Sequence, residues 1–543
     1  MTTSVPEMSG IDAMRAIHDE THAITLPETL GEFVAQQAAT HGDRVLAEYI
    51  ADGDSLTYRG LDQQANRFAS ALLARGVRKR THVALMLPNI KEWLISWVAL
   101  GRIGAVIVPV NTAYTASEVE FVLADSDAQF LIIDEEFLPI LSGIKDLPQG
   151  LDTDRVIVRG QTFDGHASWS DLLESGSDTF TPPAPVHAVD LLNLQYTSGT
   201  TGFPKGCMLT HEYWMLIGQL AWSQRGGKVN AKRTLIWAPF FYMDPQWQLL
   251  STMIGGGTVF VARRMSLSSF MDWLIDLKIE NCIFPEAAMK RFPPGPRDKE
   301  LSLRVVNAYG WRSAAYQDFE KRFGVPARNG FGMTEIGGGL SMPVAATDLS
   351  GSVACGLPVP YRDTRIVDSS GKEVAPGEIG ELWVTGRAIM LGYYKRPQAN
   401  ADSFVGEWFR TGDLFRQDEQ GYFHIVGRIK EMIKRSGENV SAHEVEAVLR
   451  KMEAVEDAAA IPVPDPDRGE EVKVLLMLAQ GHSRDTCTPE QIIAHCTDHL
   501  AGFKIPRYIS YVDEFPRTAA RKIAKQKIIN SDHRNDEYDM RST

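Results

Sequence analysis

Tyr196-Thr-Ser-Gly-Thr-Thr-Gly-Phe-Pro-Lys-Gly206 follows the apolar run Leu191-Leu192-Asn193-Leu194, and its reading decides how the rest of the chain is organised. Gly199 and Gly202 free the backbone to turn successive N–H groups toward an anion. Thr197, Ser198, Thr200 and Thr201 add hydroxyl donors, and Lys205 adds positive charge. A strand that runs into such a loop predicts a phosphate site. It is not the Gly-Lys-Ser/Thr nucleotide loop, because Pro204 and Gly206 stand on either side of Lys205 where that loop needs Gly and Ser or Thr. A solvated Ser/Thr/Gly linker would share the composition, but neither the apolar run before it nor the Pro-Lys-Gly ending.

Upstream of the loop, helical segments such as 58–75 alternate with short apolar runs at 83–87 and 130–134, the rhythm of a parallel α/β sheet. Downstream, a helical stretch near Tyr213 leads to runs at 234–238 and 257–261, which predicts a second α/β subdomain. Between residues 351 and 427 the texture changes to short strands and Gly/Pro/Asp turns, read as a small β-rich unit. Past Lys430 come helices at 442–452 and 488–500 within a compact mixed segment. The expected fold is therefore α/β: a large N-terminal domain of two α/β subdomains to about residue 350 plus a β-rich subdomain at 351–427, then a small mobile α+β domain. The boundary falls between 1–429 and 430–543.

At 543 residues the chain exceeds one ordinary core. Its 56 Lys+Arg against 69 Asp+Glu give a net charge of -13, which disfavours a broad nucleic-acid surface and points to small-molecule partners. Cys207, Cys282, Cys355, Cys487 and Cys496 lie far apart without C-x-x-C spacing, so neither a disulfide framework nor a zinc site is suggested. No basic-then-apolar leader opens the sequence, and the apolar stretch 98–110 is broken by Arg102 and Pro109, so no membrane span is expected. A cytoplasmic setting follows as the expectation. Oligomeric state is not legible.

The eleven residues quoted above closely resemble the phosphate-binding signature of the acyl-adenylate-forming superfamily, and four further segments match that family in order. Asn329-Gly-Phe-Gly-Met-Thr-Glu335 is similar to its adenine segment, which implies nucleotide contact for Gly330, Phe331, Gly332 and Met333. It also implies α-phosphate or carboxylate contact for Thr334, and Mg²⁺ at Glu335, a carboxylate suited to that hard cation. Alone, Thr334-Glu335 would read equally well as a helix N-cap and first-turn acid. Trp408-Phe-Arg-Thr-Gly-Asp-Leu414 resembles the segment whose aspartate accepts from the ribose hydroxyls, here Asp413. Gly427-Arg-Ile-Lys-Glu-Met-Ile-Lys-Arg-Ser-Gly-Glu-Asn-Val440 resembles the interdomain signature, implying that Arg428 binds ribose or phosphate. Lys430 is then the hinge, and Lys434, Arg435, Ser436 and Gly437 border the coenzyme A tunnel. Lys504 and Arg507 are further candidates for coenzyme A phosphates. Pro516-Arg-Thr-Ala-Ala-Arg-Lys-Ile523 resembles the loop of the adenylating lysine, which maps to Lys522 with Lys525 and Lys527 close by. Arg521 stands where the family has Gly.

Pro239-Phe-Phe-Tyr-Met-Asp-Pro-Gln-Trp247 occupies the acyl-site segment of the family, placing Tyr242, Asp244 and Trp247 as pocket candidates. Its spacing resembles crotonobetaine/carnitine-CoA ligases, where Asp244 with the aromatics would receive a cationic group. Helix capping by Asp244 ahead of Pro245 is the structural alternative. The implied activity is an ATP- and Mg²⁺-dependent ligase that makes acyl-AMP from a carboxylic acid and passes the acyl group to coenzyme A. Loading of a carrier protein and a non-catalytic nucleotide sensor are the alternatives.

Overall fold

The computed structural model describes residues 8–161, 165–197, 204–435, 438–465, 468–517, 523–531 and 537–540. The chain forms two compact units, residues 1–363 with 384–409, and residues 364–383 with 410–543. Each is taken by itself.

Two seven-stranded sheets organise the first unit. In one, Ala167–Ser168, Val156–Arg159, Phe130–Asp134, His82–Met86, Val106–Pro109 and Leu191–Thr197 run parallel, and Lys205–Thr210 closes the edge antiparallel. Its central strands are buried on both faces, which is why they read as unbroken apolar runs rather than alternating ones. In the other, Ala327–Arg328, Val305–Asn307, Asn281–Ile283, Arg233–Ile236, Thr258–Val261 and Val45–Tyr49 are parallel and Ser55–Thr57 is antiparallel. The helix Tyr58–Ala74 starts where the Thr57 hydroxyl accepts from Gly60 N (2.9 Å). Because these strands are parallel, the segments leaving Arg233–Ile236, Val305–Asn307 and Ala327–Arg328 emerge at one edge, the usual place for ligands in such sheets. Those segments carry Tyr242, Tyr309 and Gly330–Met333.

In the second unit, residues 413–417 pair with Phe423–Arg428 in a register that sets Asp413 opposite Arg428. Past it, Met432–Arg435, Glu438–Ser441, Gly469–Leu478, Val455–Asp465, Tyr508–Tyr511 and Tyr538–Asp539 form one sheet. The helices Ala442–Leu449 and Pro489–His499 cover it through a core of Val445, Leu449, Val474, Ile492 and Ile509. All five cysteines are buried and none is bonded to another. No helix among the described residues is long and apolar enough to cross a membrane.

Candidate active site

Thr197 and Lys205 face each other as the last pair of the hairpin formed by Leu191–Thr197 and Lys205–Thr210. Ser198, Gly199, Thr200 and Thr201 lie in the connection, outside the described residues. The Lys205 ammonium sits 4.1 Å from the centre of the Tyr393 ring. The Tyr393 hydroxyl in turn donates to Glu335 Oε1 at 2.7 Å. Burial and then the Glu335 carboxylate raise the Tyr393 phenol well above its ordinary value, so it stays a donor. Backbone bonds fix this chain of contacts: Tyr394 N donates to Gly206 O and Met390 N to Glu335 O.

Tyr393 thus joins the lysine of the phosphate loop to the proposed Mg²⁺ carboxylate, and sequence reasoning missed it. The available signal was Gly392-Tyr-Tyr-Lys-Arg-Pro397, whose glycine needs φ of +128°. Tyr393→Phe keeps the ring under Lys205 and removes the hydroxyl that donates to Glu335 and is bonded to Ser403. A hydrogen bond to a charged group contributes about 1.5–3 kcal/mol, so kcat/KM for ATP should fall roughly ten-fold or more. Pyrophosphate release at saturating acid measures it, and a wild-type rate would detach Tyr393 from the site.

Gly330–Met333 and Gly337–Ser341 form a second hairpin, with Thr334 and Glu335 in its turn rather than at a helix start. A Cβ on Gly332 would come within 2.5 Å of Gly337 O, so the tight strand pairing itself demands glycine there. Tyr213, buried in the helix His211–Ala221, donates to Thr334 O at 3.0 Å. The Thr334 hydroxyl points to Met243 Sδ, 3.7 Å away. The adenine segment and the start of the acyl-site helix are therefore in contact.

Tyr242 caps that helix, Met243–Ile254, from an extended backbone (φ -91°, ψ 160°) without a side-chain cap bond. Asp244 is not the cap. It stands one residue inside the helix, because Tyr242 has already turned the backbone, and it accepts from Trp247 Nε1 at 3.0 Å. Burial pushes the Tyr242 phenol up to about 12. Trp247 is nearly enclosed, and Phe240 stacks on Trp93 with ring centres 5.0 Å apart, so both belong largely to the core. The segment is held by a buried amide network that the sequence did not announce. Gln246 Nε2 donates to Phe240 O (3.0 Å) and Tyr242 O (3.1 Å), Asn193 Nδ2 donates to Gln246 Oε1 (2.9 Å), and Gln195 Nε2 donates to Phe241 O (2.6 Å). Asn193 and Gln195 sit on the strand that ends at Thr197, so the phosphate loop and acyl segment share one rigid support.

In the second unit, Asp413 is buried and accepts from Arg428 Nε at 2.9 Å. Its turn is set by Glu381, another residue not singled out from sequence, which accepts from Gly412 N (3.1 Å) and from Arg410 (3.0 Å). Lys430 lies in the short turn Ile429–Glu431, and Lys434 pairs with Asn439 across a hairpin. Ser436, Gly437, Arg521 and Lys522 lie outside the described residues. Arg435 is buried, with its guanidinium donating to Phe503 O (2.7 Å) and paired with Glu471 (2.7 Å). Lys504 is paired with Glu444, and Arg507 with Asp465 and Asp539. These three cations have structural partners already. Lys525 Nζ lies 2.8 Å from Glu431 and 2.7 Å from Glu446.

Mg²⁺ fits the donor set as a cation held through one carboxylate, Glu335, together with nucleotide phosphates and water. The hairpin of Leu191–Thr197 with Lys205–Thr210, the hairpin of Gly330–Met333 with Gly337–Ser341 and the helix Met243–Ile254 are thus joined through Tyr393, Thr334 and Gln246 on one α/β framework. The profile of the AMP-binding enzyme family matches residues 34–394 and that of its C-terminal domain residues 444–522. The chain belongs to this family, in the acyl-CoA synthetase branch of the acyl-adenylate-forming superfamily. It is 32% identical to a feruloyl-CoA synthase of Amycolatopsis over 88% of this chain and 94% of that one. It is 30% identical to a crotonobetaine/carnitine–CoA ligase of Citrobacter koseri over 87% and 92%. The solved anthranilate CoA ligase AuaEII in complex with anthranoyl-AMP superposes with a TM-score of 0.83, at 26% identity, over 94% of this chain and 98% of that one. This chain is an AMP-forming acid–CoA ligase, and ATP, Mg²⁺ and coenzyme A are its co-substrates and metal.

Proposed function

We propose that the acid activated here is bulky and aromatic. The observation that carries this reading is Tyr242, half-buried at the head of the acyl helix with its phenol kept neutral by burial and its backbone fixed by Gln246. A flat apolar acid gains roughly 25 cal/mol for each Å² it buries, and about 0.8 kcal/mol per added methylene, which acetate cannot match. The feruloyl-CoA synthase likeness and the anthranilate ligase superposition support the same substrate class.

The acid's carboxylate attacks the α-phosphorus of ATP, forming acyl-AMP and releasing pyrophosphate. The coenzyme A thiolate then attacks the acyl carbon and expels AMP. In this reading Lys205 and Thr197 bind phosphate oxygens, and Glu335 would hold Mg²⁺, which would supply charge neutralisation at the phosphates. The strand Gly330–Met333 packs against adenine, Asp413 and Arg428 hold ribose, Lys522 serves the first step, and Lys430 is the pivot that exchanges it for the segment 434–439 in the second. Asp244 already accepts from Trp247, which weakens a betaine reading. Steady-state kcat/KM for acetate, butyrate, cinnamate and a trimethylammonium acid, each with coenzyme A and with a phosphopantetheinylated carrier, tests the proposal. Cinnamate should lead with coenzyme A as acceptor, and a preference for acetate or the betaine would overturn it.

A further inference from the structure

We propose that Arg225 reads a second oxygen group, a carboxylate above all, on the end of the acid opposite the one that is adenylated. The inference rests on the acyl site described above and adds the substrate's far end to it.

The helix His211–Ala221 continues through a single π-helical turn, Trp222–Gly226, a distortion that recurs at functional sites because it re-aims one side chain. Arg225 lies within that turn. It is buried, at 6% exposure. Nη2 donates to Asn329 O (2.9 Å) and Ser341 Oγ (3.2 Å), which ties it to the entry of the adenine hairpin. Nη2 also lies 3.5 Å from where a Gly330 Cβ would be. Nη1 has no hydrogen-bond partner, and no carboxylate among the described residues lies within ion-pair distance of the guanidinium.

Other buried arginines nearby are handled differently. Arg328 is paired with Glu320, and Arg362 gives its N–H groups to the carbonyls of Ile336, Tyr361 and Arg387. A buried guanidinium lacking both an anion and a full set of acceptors is costly, and it is kept where a ligand completes it.

The neighbourhood is that of the acyl site. The π turn packs against Met243–Ile254, the helix that carries Asp244 and Trp247. Tyr309 leaves the strand Val305–Asn307 at the ligand edge and turns its hydroxyl in toward Asn307 Oδ1 (3.4 Å). That phenol is pushed up to about 12 by burial and feels both Arg225 and Asp244. The Tyr309 hydroxyl, whose acceptor Asn307 is a long 3.4 Å away, adds a polar group to the same region. Nη1 offers two N–H groups, and an anionic oxygen satisfies them best.

The test compares kcat/KM for cinnamate, 4-methylcinnamate, 4-hydroxycinnamate and 4-carboxycinnamate, and for adipate against heptanoate, in wild type, Arg225→Met and Arg225→Lys. Wild type should prefer the carboxylate of each matched pair at least ten-fold. Arg225→Met should erase that preference while KM for ATP stays within two-fold, and Arg225→Lys should keep part of it. A preference for 4-hydroxycinnamate alone would assign the subsite to a hydroxyl and overturn the anionic form. Equal loss for all acids with a raised KM for ATP would make Arg225 a clamp on Asn329 and overturn the proposal. Thermal shifts of the wild-type protein by each acid give the same comparison without relying on the variants folding. Should no cinnamate be used while adipate outperforms heptanoate, the aromatic reading fails and the Arg225 subsite stands.

Discussion

Lys522→Ala is expected to lower acyl-AMP formation by roughly 10²–10³-fold, the loss typical of removing one preorganised charge from a transition state. Thioester formation from supplied acyl-AMP should keep close to its wild-type rate. The resemblance of Pro516-Arg-Thr-Ala-Ala-Arg-Lys-Ile523 to the adenylating loop motivates the choice. The chain around that loop sharpens it. Arg517 and Ile523 pair as an isolated bridge on either side of residues 518–522, which lie outside the described residues. Lys525, the nearest competitor in sequence, is already engaged by Glu431 and Glu446 and is not available to a substrate phosphate. Pyrophosphate release and the conversion of acyl-AMP to thioester, measured separately, decide the matter. Equal losses in both half-reactions would reject a lysine that serves only the first.

Lys525→Met should act on stability instead, costing roughly 2–3 kcal/mol, below the range for fully buried pairs because the side chain keeps some exposure. The ammonium is the cation shared by Glu431 and Glu446, and its removal leaves Glu446, 4% exposed, with Arg450 at 3.4 Å as its remaining ion-pair partner. The pH dependence has a definite sign. Burial works against the Lys525 charge, but Glu446 and Glu431 outweigh it and raise its pKa above 10.5. That contribution is complete below 10.5 and fades as pH rises through the folded value. Burial likewise opposes the Glu431 charge, yet Lys525 holds its pKa below 4.5, so its contribution is complete above 4.5 and fades as pH falls through the folded value. Wild type and Lys525→Met should therefore differ most in melting temperature between about pH 4.5 and 10.5, with the gap closing outside that window. A gap that does not change with pH would show that packing rather than charge is lost.

Much of the architecture was legible because its physics is local and periodic. Strands such as Phe130–Asp134, buried on both faces, announce themselves as apolar runs, and the strand entering residues 198–203 was visible ahead of the glycines, hydroxyls and lysine, whereas its antiparallel return along Lys205–Thr210 was not. The contacts that assemble the site were not legible. Tyr393, Glu381 and Gln246 matter through partners 58, 31 and 53 residues away, separations no local pattern records. Asp244 looked like a helix cap because Asp before Pro usually is one, but the backbone of Tyr242 opened the helix first. Arg435 reads as one more basic residue beside Lys434, and only the fold encloses it with Glu471.

The enclosure of all five sulfhydryls has a practical consequence for anyone assaying this ligase. Cys207, Cys282 and Cys496 are 0% exposed and Cys355 and Cys487 no more than 2%, and burial raises the pKa of Cys207, Cys282, Cys487 and Cys496, so a colorimetric thiol titrant meets little reactive sulfur on the folded chain. Remaining free coenzyme A can then be titrated in timed samples against an almost silent protein background. The same reagent, applied without coenzyme A and with rising denaturant, becomes a clock for opening. Cys207 and Cys282 report one unit and Cys487 and Cys496 the other, so labelled peptides sorted by mass would rank which unit opens first.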